Sequence, residues 1–207
     1  MEKRSALYGF LVFGGLLALC FLFLFLALSA VSPSSGEKEW GEGHGPKVGI
    51  VEVKGVISSS LEVVARLHQL REDSSIRAIV VRINSPGGAV APSQEIFSAI
   101  LRARKSKKVV CSMGTVAASG GYYIASACDK IVAAPGTVTG SIGVISELPH
   151  IDKLLELARV EVDTIKSGPM KDIGSPLRPM TDEEHAFFQK FVDGVYEQFL
   201  SDVATER

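Results

Sequence analysis

The chain has 207 residues, a formal net charge of −1 with 22 basic against 23 acidic side chains, and 46% hydrophobic residues. That length holds one domain with attachments, and the balanced charge leaves no electrostatic case for nucleic acid as a partner. The three cysteines form no C-x-x-C pair, and Cys111 and Cys128 are expected as buried free thiols unless the fold brings them together.

At the N-terminus, Met1-Glu2-Lys3-Arg4-Ser5 precedes an uncharged run from Ala6 to Val31 that is rich in Leu and Phe and contains Cys20. About 20 apolar residues cross a bilayer as a helix, and a buried core helix of this length would carry a polar stripe, which is missing here. Residues 6–31 therefore read as a transmembrane anchor, behind a short cytoplasmic tail at 1–5. A cleaved signal peptide is the competing reading, with Ala27-Leu28-Ser29 as its small-x-small site. Lys3 and Arg4 next to the membrane favour the N-terminus inside, which places the following domain on the extracytoplasmic side. Residues 32–46, with Ser-Pro-Ser-Ser-Gly and Gly-Glu-Gly-His-Gly-Pro, cannot bury a core and read as a tether.

Residues 47–207 alternate between two periods. Val48 to Val53 has a strand pattern, and Leu61 to Leu70 has apolar residues at helical spacing. Ile76 to Ile83 is β-branched and reads as a buried strand, which breaks at Asn84-Ser85-Pro86-Gly87-Gly88 before a helix from about Pro92 to Arg104. Val109 to Met113, Lys130 to Ala133 and Val160 to Ile165 are expected strands, and Ser119 to Ala127 and Leu154 to Ala158 expected helices. Thr181-Asp182-Glu183-Glu184 is a capping box, opening a helix with Phe188, Val192, Val195, Phe199 and Val203 on one packing face. Strands alternating with helices predict an α/β domain with a mainly parallel sheet and helices packed around it.

The chemistry centres on Val116-Ala117-Ala118-Ser119-Gly120-Gly121. Small residues crowd Ser119 at the start of a helix, where backbone N–H groups and the positive helix end face a developing negative charge. Taken alone, the stretch favours a Gly-rich turn with a capping serine. Gly87-Gly88 follows the preceding strand, so both loops fall at carboxyl strand ends, the usual edge for a site. A backbone N–H from each can converge on one oxygen. The base is harder to read. His68, His150 and His185 stand in no base-bearing motif, His44 lies in the tether, and neither G-x-S-x-G nor S-x-x-K occurs at Ser119. Lys166 and Lys171 lie in one loop, and a lysine acts as a base only when it is held neutral.

Four ordered motifs carry a resemblance: Asn84-Ser85-Pro86-Gly87-Gly88, Met113 to Tyr123, Thr139-Gly140-Ser141-Ile142-Gly143-Val144 and Lys166-Ser167-Gly168-Pro169-Met170-Lys171-Asp172. Together, over about residues 47–207, they resemble the signal peptide peptidase A family, membrane-bound bacterial serine peptidases with a Ser/Lys dyad. The resemblance implies a crotonase/Clp-protease-like fold of repeated ββα units, with 47–207 as the peptidase domain. It implies Ser119 as nucleophile, Lys171 as general base, Gly88 and Gly120 as oxyanion-hole donors, and Ser141 as the serine that orients the lysine. It also implies a ring-like homo-oligomer, peptide substrates such as released signal peptides, and no cofactor or metal. Family members continue past the helix that follows the lysine loop, so the domain is expected to be incomplete at its C-terminus. Two rival readings are a crotonase-type acyl-CoA enzyme, which has no use for Ser119, and a non-catalytic scaffold.

Overall fold

A computed structural model describes residues 45–207 together with Leu19. Apart from Leu19, the expected anchor lies outside the described residues, as do all but the last two residues of the tether. Among the described residues, no helix is long and apolar enough to cross a membrane.

β1 (Lys47–Lys54), β2 (Ile76–Ser85), β3 (Lys108–Ala118) and β4 (Lys130–Val132) form a parallel sheet in that order. The first three alternate with α1 (Leu61–Glu72) and α2 (Val90–Arg104), and α3 (Gly120–Ser126) follows β3 directly. Period-2 alternation sends Val51 and Val53 of β1, Ile79, Val81 and Ile83 of β2, and Val109, Cys111 and Met113 of β3 into the core. There they meet Leu67 and Leu70 of α1, Ile96, Phe97 and Ile100 of α2, and Ile124 of α3. The other face of β1, with Val48 and Ile50, stays exposed, so the helices do not wrap β1 on both sides as expected. Cys111 and Cys128 are buried and free. The neighbouring Cys111 thiol, with burial, holds the Cys128 thiol far above its ordinary range.

Three elements depart from the expected ones, the first two for a visible physical reason. β3 runs on past Met113 to Ala118, because Asn84 Oδ1 accepts the Val116 N–H at 3.2 Å where the ladder with β2 shifts register. A short strand not foreseen, β5 (Val138–Gly140), then pairs with that extension from Val116 to Ala118. Thr137 Oγ1 and Thr139 Oγ1 fasten it by donating to the Gly114 and Ala117 carbonyls at 2.9 and 2.8 Å.

The expected strand from Val160 to Ile165 does not form. β1 and β4 keep their outer edges, and the segment pairs with neither. Its alternating apolar residues stand in solvent instead, with Ile165 wholly exposed.

α4 (Asp152–Ala158) matches its expected position. α5 (Asp182–Glu206) opens with the capping box: Glu184 N–H donates to Thr181 Oγ1 at 3.2 Å, and Thr181 N–H donates to Glu184 Oε2 at 3.0 Å. From its apolar face, Phe199 is buried and Val203 packs on the core. Phe199 meets Tyr123 edge-on at 5.0 Å, and Tyr123 stacks on Phe97 at 4.5 Å.

Candidate active site

Ser119 sits where β3 ends and α3 begins, with φ 51° and ψ −121°. Few L-residues adopt such a backbone, and its cost persists only where the surroundings enforce it. Here the Ser119 N–H donates to the Gly140 carbonyl at 2.8 Å, and the Ser119 carbonyl accepts the Tyr123 N–H at 2.9 Å. β5 on one side and the first turn of α3 on the other therefore fix the turn that carries the hydroxyl.

The Gly87-Gly88 loop lies against this turn. A Cβ on Gly87, which has φ +103°, would stand 2.8 Å from the Gly120 nitrogen and 2.8 Å from Ser119 Cβ. Gly88 bridges to Ile57: the Ile57 N–H donates to the Gly87 carbonyl at 2.9 Å, and the Ala89 N–H to the Ile57 carbonyl at 2.7 Å. That bridge leaves the Gly88 N–H over. Among the described residues, neither it nor the Gly120 N–H donates to a protein acceptor. Two unused backbone donors beside a serine hydroxyl are what stabilisation of a tetrahedral oxyanion requires.

Ser119, Gly88, Gly120 and Ser141 line one cavity of about 540 Å³. The rest of its wall is mostly apolar, with Val90, Ile142, Val144, Ile145, Val195 and Phe199. Ser141 follows β5 and also has a positive φ, 53°. The packing stripe of α5 thus has a second use, since Val195 and Phe199 close the cavity. Sequence reading missed that use, and it missed Ser93 and Tyr123 as wall residues. No local signal marks Ser93, Val195 or Phe199, because α2 and α5 reach the cavity only through tertiary packing, whereas Tyr123 lies one turn past Ser119 on α3.

Tyr123 is the one titratable side chain among the lining residues. Burial first, and then its hydrogen bond to Asp202, push the phenol well above its ordinary value. It stays protonated and cannot serve as a base. His68, His150 and His185 do not line the cavity. His150 Nδ1 instead lies 3.0 Å from the Arg178 carbonyl oxygen.

Lys171 does not line the cavity either, and its side chain is exposed. The structure thus brings four of the five expected residues together in one chain and leaves the lysine outside. Asp172, next to it, is occupied. Its two oxygens accept from Lys166 Nζ at 2.6 Å and Arg178 Nε at 2.9 Å. Arg178 first, and then Lys166, hold the Asp172 carboxyl well below the usual carboxylate range.

The sequence profile of Clp protease matches residues 49–138, and that of Peptidase family S49 matches residues 102–207, just over half of the chain. The Synechocystis sp. protein named "Putative protease slr0021" is 43% identical over 162 residues, 78% of this chain and 58% of that protein. Protease 4 of Salmonella typhi is 37% identical over 144 residues, 69% of this chain and 23% of its own length. The chloroplastic serine protease SPPA of Arabidopsis thaliana is 34% identical over 165 residues, 76% of this chain and 24% of that protein. The chain spans about half the length of the first of these relatives and about a quarter of the other two. The parallel sheet agrees with the Clp-protease match, and the match across 102–207 takes in Ser119, Ser141 and Lys171: this chain belongs to peptidase family S49.

Proposed function

We propose that the chain is a membrane-anchored serine endopeptidase with a Ser119/Lys171 dyad, acting on signal peptides and other short, unfolded, apolar peptides. The observation that carries this reading is the strained Ser119 on the wall of an apolar cavity, beside two backbone N–H groups without acceptors.

In this mechanism Ser119 Oγ attacks the peptide carbonyl while the neutral Lys171 amine takes its proton, oriented by the Ser141 hydroxyl. The Gly88 and Gly120 N–H groups hold the oxyanion. The protonated amine then gives its proton to the leaving nitrogen, and water hydrolyses the acyl-enzyme. The apolar wall suits an apolar substrate side chain, since burying one in such a pocket is favourable.

The exposed position of Lys171 supports completion of the dyad in a homo-oligomer, with the lysine loop of one copy facing Ser119 of the next. Exposed Ile145, Leu154, Leu157, Val160, Val162 and Ile165 supply apolar surface for such an interface. Residues 6–31 serve as the anchor, and the domain lies on the extracytoplasmic side of the cytoplasmic membrane.

The test is labelling of the full chain with a fluorophosphonate probe and mapping of the modified residue. The expected result is covalent labelling at Ser119, lost in Ser119→Ala together with peptide cleavage. Cleavage by Ser119→Ala at the parent rate refutes the proposal.

A further inference from the structure

The segment from Lys166 to Glu184 contains a chain of charged contacts that reaches from the lysine loop to the start of α5. Lys166 Nζ and Arg178 Nε take the two oxygens of Asp172 at 2.6 and 2.9 Å. The other two guanidinium nitrogens of Arg178 go to Glu184, Nη1 to Oε2 at 2.8 Å and Nη2 to Oε1 at 2.5 Å. Glu184 is buried and closes the capping box with Thr181. Arg178 thus bridges two carboxylates, one at the head of a helix and one next to Lys171.

A lysine cannot replace it there. Only the planar fork of guanidinium presents donors in two directions with fixed geometry, whereas ammonium is a single point charge. Lys166 holds Asp172 but does not tie it to α5. The loop is otherwise made of turns: Lys171 N–H donates to the Gly168 carbonyl at 3.2 Å, and Ser175 N–H to the Asp172 carbonyl at 3.0 Å. The charged and titratable groups around Asp172 are Lys166, Arg178, His150 behind the Arg178 carbonyl, and Glu184 from α5. Among the described residues, the Lys171 amine has no carboxylate within ion-pair distance.

An adjacent carboxylate favours the ammonium form of a lysine, and an ammonium cannot accept a proton. Asp172 is the nearest carboxylate to Lys171 in the chain, so its engagement elsewhere has a chemical consequence. We propose that Arg178 is a positioning residue for the proteolytic base: by binding Asp172 and Glu184 together it keeps the Asp172 carboxylate off Lys171, so that Lys171 meets Ser119 as a free amine. This rests on the Ser119/Lys171 reading.

The test is the pH dependence of kcat/KM for peptide cleavage by the full chain, with Lys171→Ala measured first. If Lys171→Ala keeps the parent profile, the dyad reading itself fails and Arg178 has no base to position. If Lys171→Ala is inactive, Arg178→Gln is expected to move the midpoint of the alkaline rise upward by about one pH unit, the low end for a carboxylate brought near a lysine. Asp172→Asn added to Arg178→Gln should return the midpoint to the parent value, because asparagine carries no charge. Arg178→Lys cannot bind Asp172 and Glu184 together and should shift the midpoint in the same direction as Arg178→Gln. A merely structural arginine predicts something else: Arg178→Gln lowers the rate at every pH, leaves the midpoint in place, and is not corrected by Asp172→Asn. That result overturns the proposal. Should Arg178→Gln fail to fold, Asp172→Asn alone decides. Its midpoint is expected at or below that of the parent, and an upward shift overturns the proposal.

Discussion

Gly88→Ala adds one methyl group and separates catalysis from stability. A Cβ at Gly88 would overlap the Ile57 carbonyl oxygen and stand 2.5 Å from the Ile57 nitrogen and 2.8 Å from its carbonyl carbon. All three are backbone atoms, so no side-chain rotation relieves the clash. The loop must move off Ile57, which opens the bonds from Ile57 N–H to the Gly87 carbonyl and from Ala89 N–H to the Ile57 carbonyl. Two backbone hydrogen bonds at about 1 kcal/mol each give about 2 kcal/mol, within the usual range for an overpacked site. For a unit of this size that is a fall in melting temperature of roughly 4–8 °C, and the protein stays folded at 25 °C. The same movement displaces the Gly88 N–H from the oxyanion position, where loss of one donor costs about 10²–10³ in kcat. Melting curves and steady-state cleavage of a fluorogenic peptide check both numbers. Gly136→Ala is the control, since a Cβ there meets nothing within 4 Å. A Gly88→Ala protein with the expected melting loss but parent kcat would refute the oxyanion assignment. Parent stability would refute the steric argument.

Three further outcomes follow from single residues. Ser119→Gly and Ser119→Ala should both be inactive, but glycine relieves the strained φ and ψ, so Ser119→Gly should melt about 2–4 °C higher for roughly 1 kcal/mol of strain; equal melting temperatures would show that no strain is held there. Tyr123→Phe removes the hydrogen bond to Asp202 that ties α3 to α5 and should cost about 1.5–3 kcal/mol in a denaturant titration, with little change if Asp202 is fully solvated instead. Arg178 first, and then the Thr181 N–H, hold the Glu184 carboxyl down at about 2. Its folded value lies below the unfolded one, so its stabilising contribution is present above the ordinary glutamate range and is lost as pH falls toward about 2. The melting temperature should fall across that window and fall less steeply in Glu184→Gln; parallel acid profiles for the two proteins would contradict the assignment.

Much of this protein is decided by local chemistry. The strands β1 and β2, the helices α1 and α2, and the capping box of α5 follow from apolar period, Gly and Pro punctuation and short-range hydrogen bonds, all of which act within a few residues. For the same reason the Gly-rich loops at Gly88 and Ser119 could be placed at carboxyl strand ends before any contact between them was known. Once two neighbouring strands are parallel, their ends share one edge.

Other features depend on which partners are free. Val160 to Ile165 has the pattern of a strand and pairs with no edge of the sheet, whereas Val138–Gly140 has little pattern and pairs because β3 extends past its register shift. Phe199 joins the cavity wall through the packing of a helix that begins more than sixty residues after Ser119 in the chain. The position of Lys171 is of the same kind. Its motif carries the resemblance that proposes it as the base, but its distance from Ser119 depends on where a turn-built loop comes to rest. Hydrogen-bonding edges, helix packing and loop placement are properties of the assembled structure, and periodicity along the chain carries no record of them.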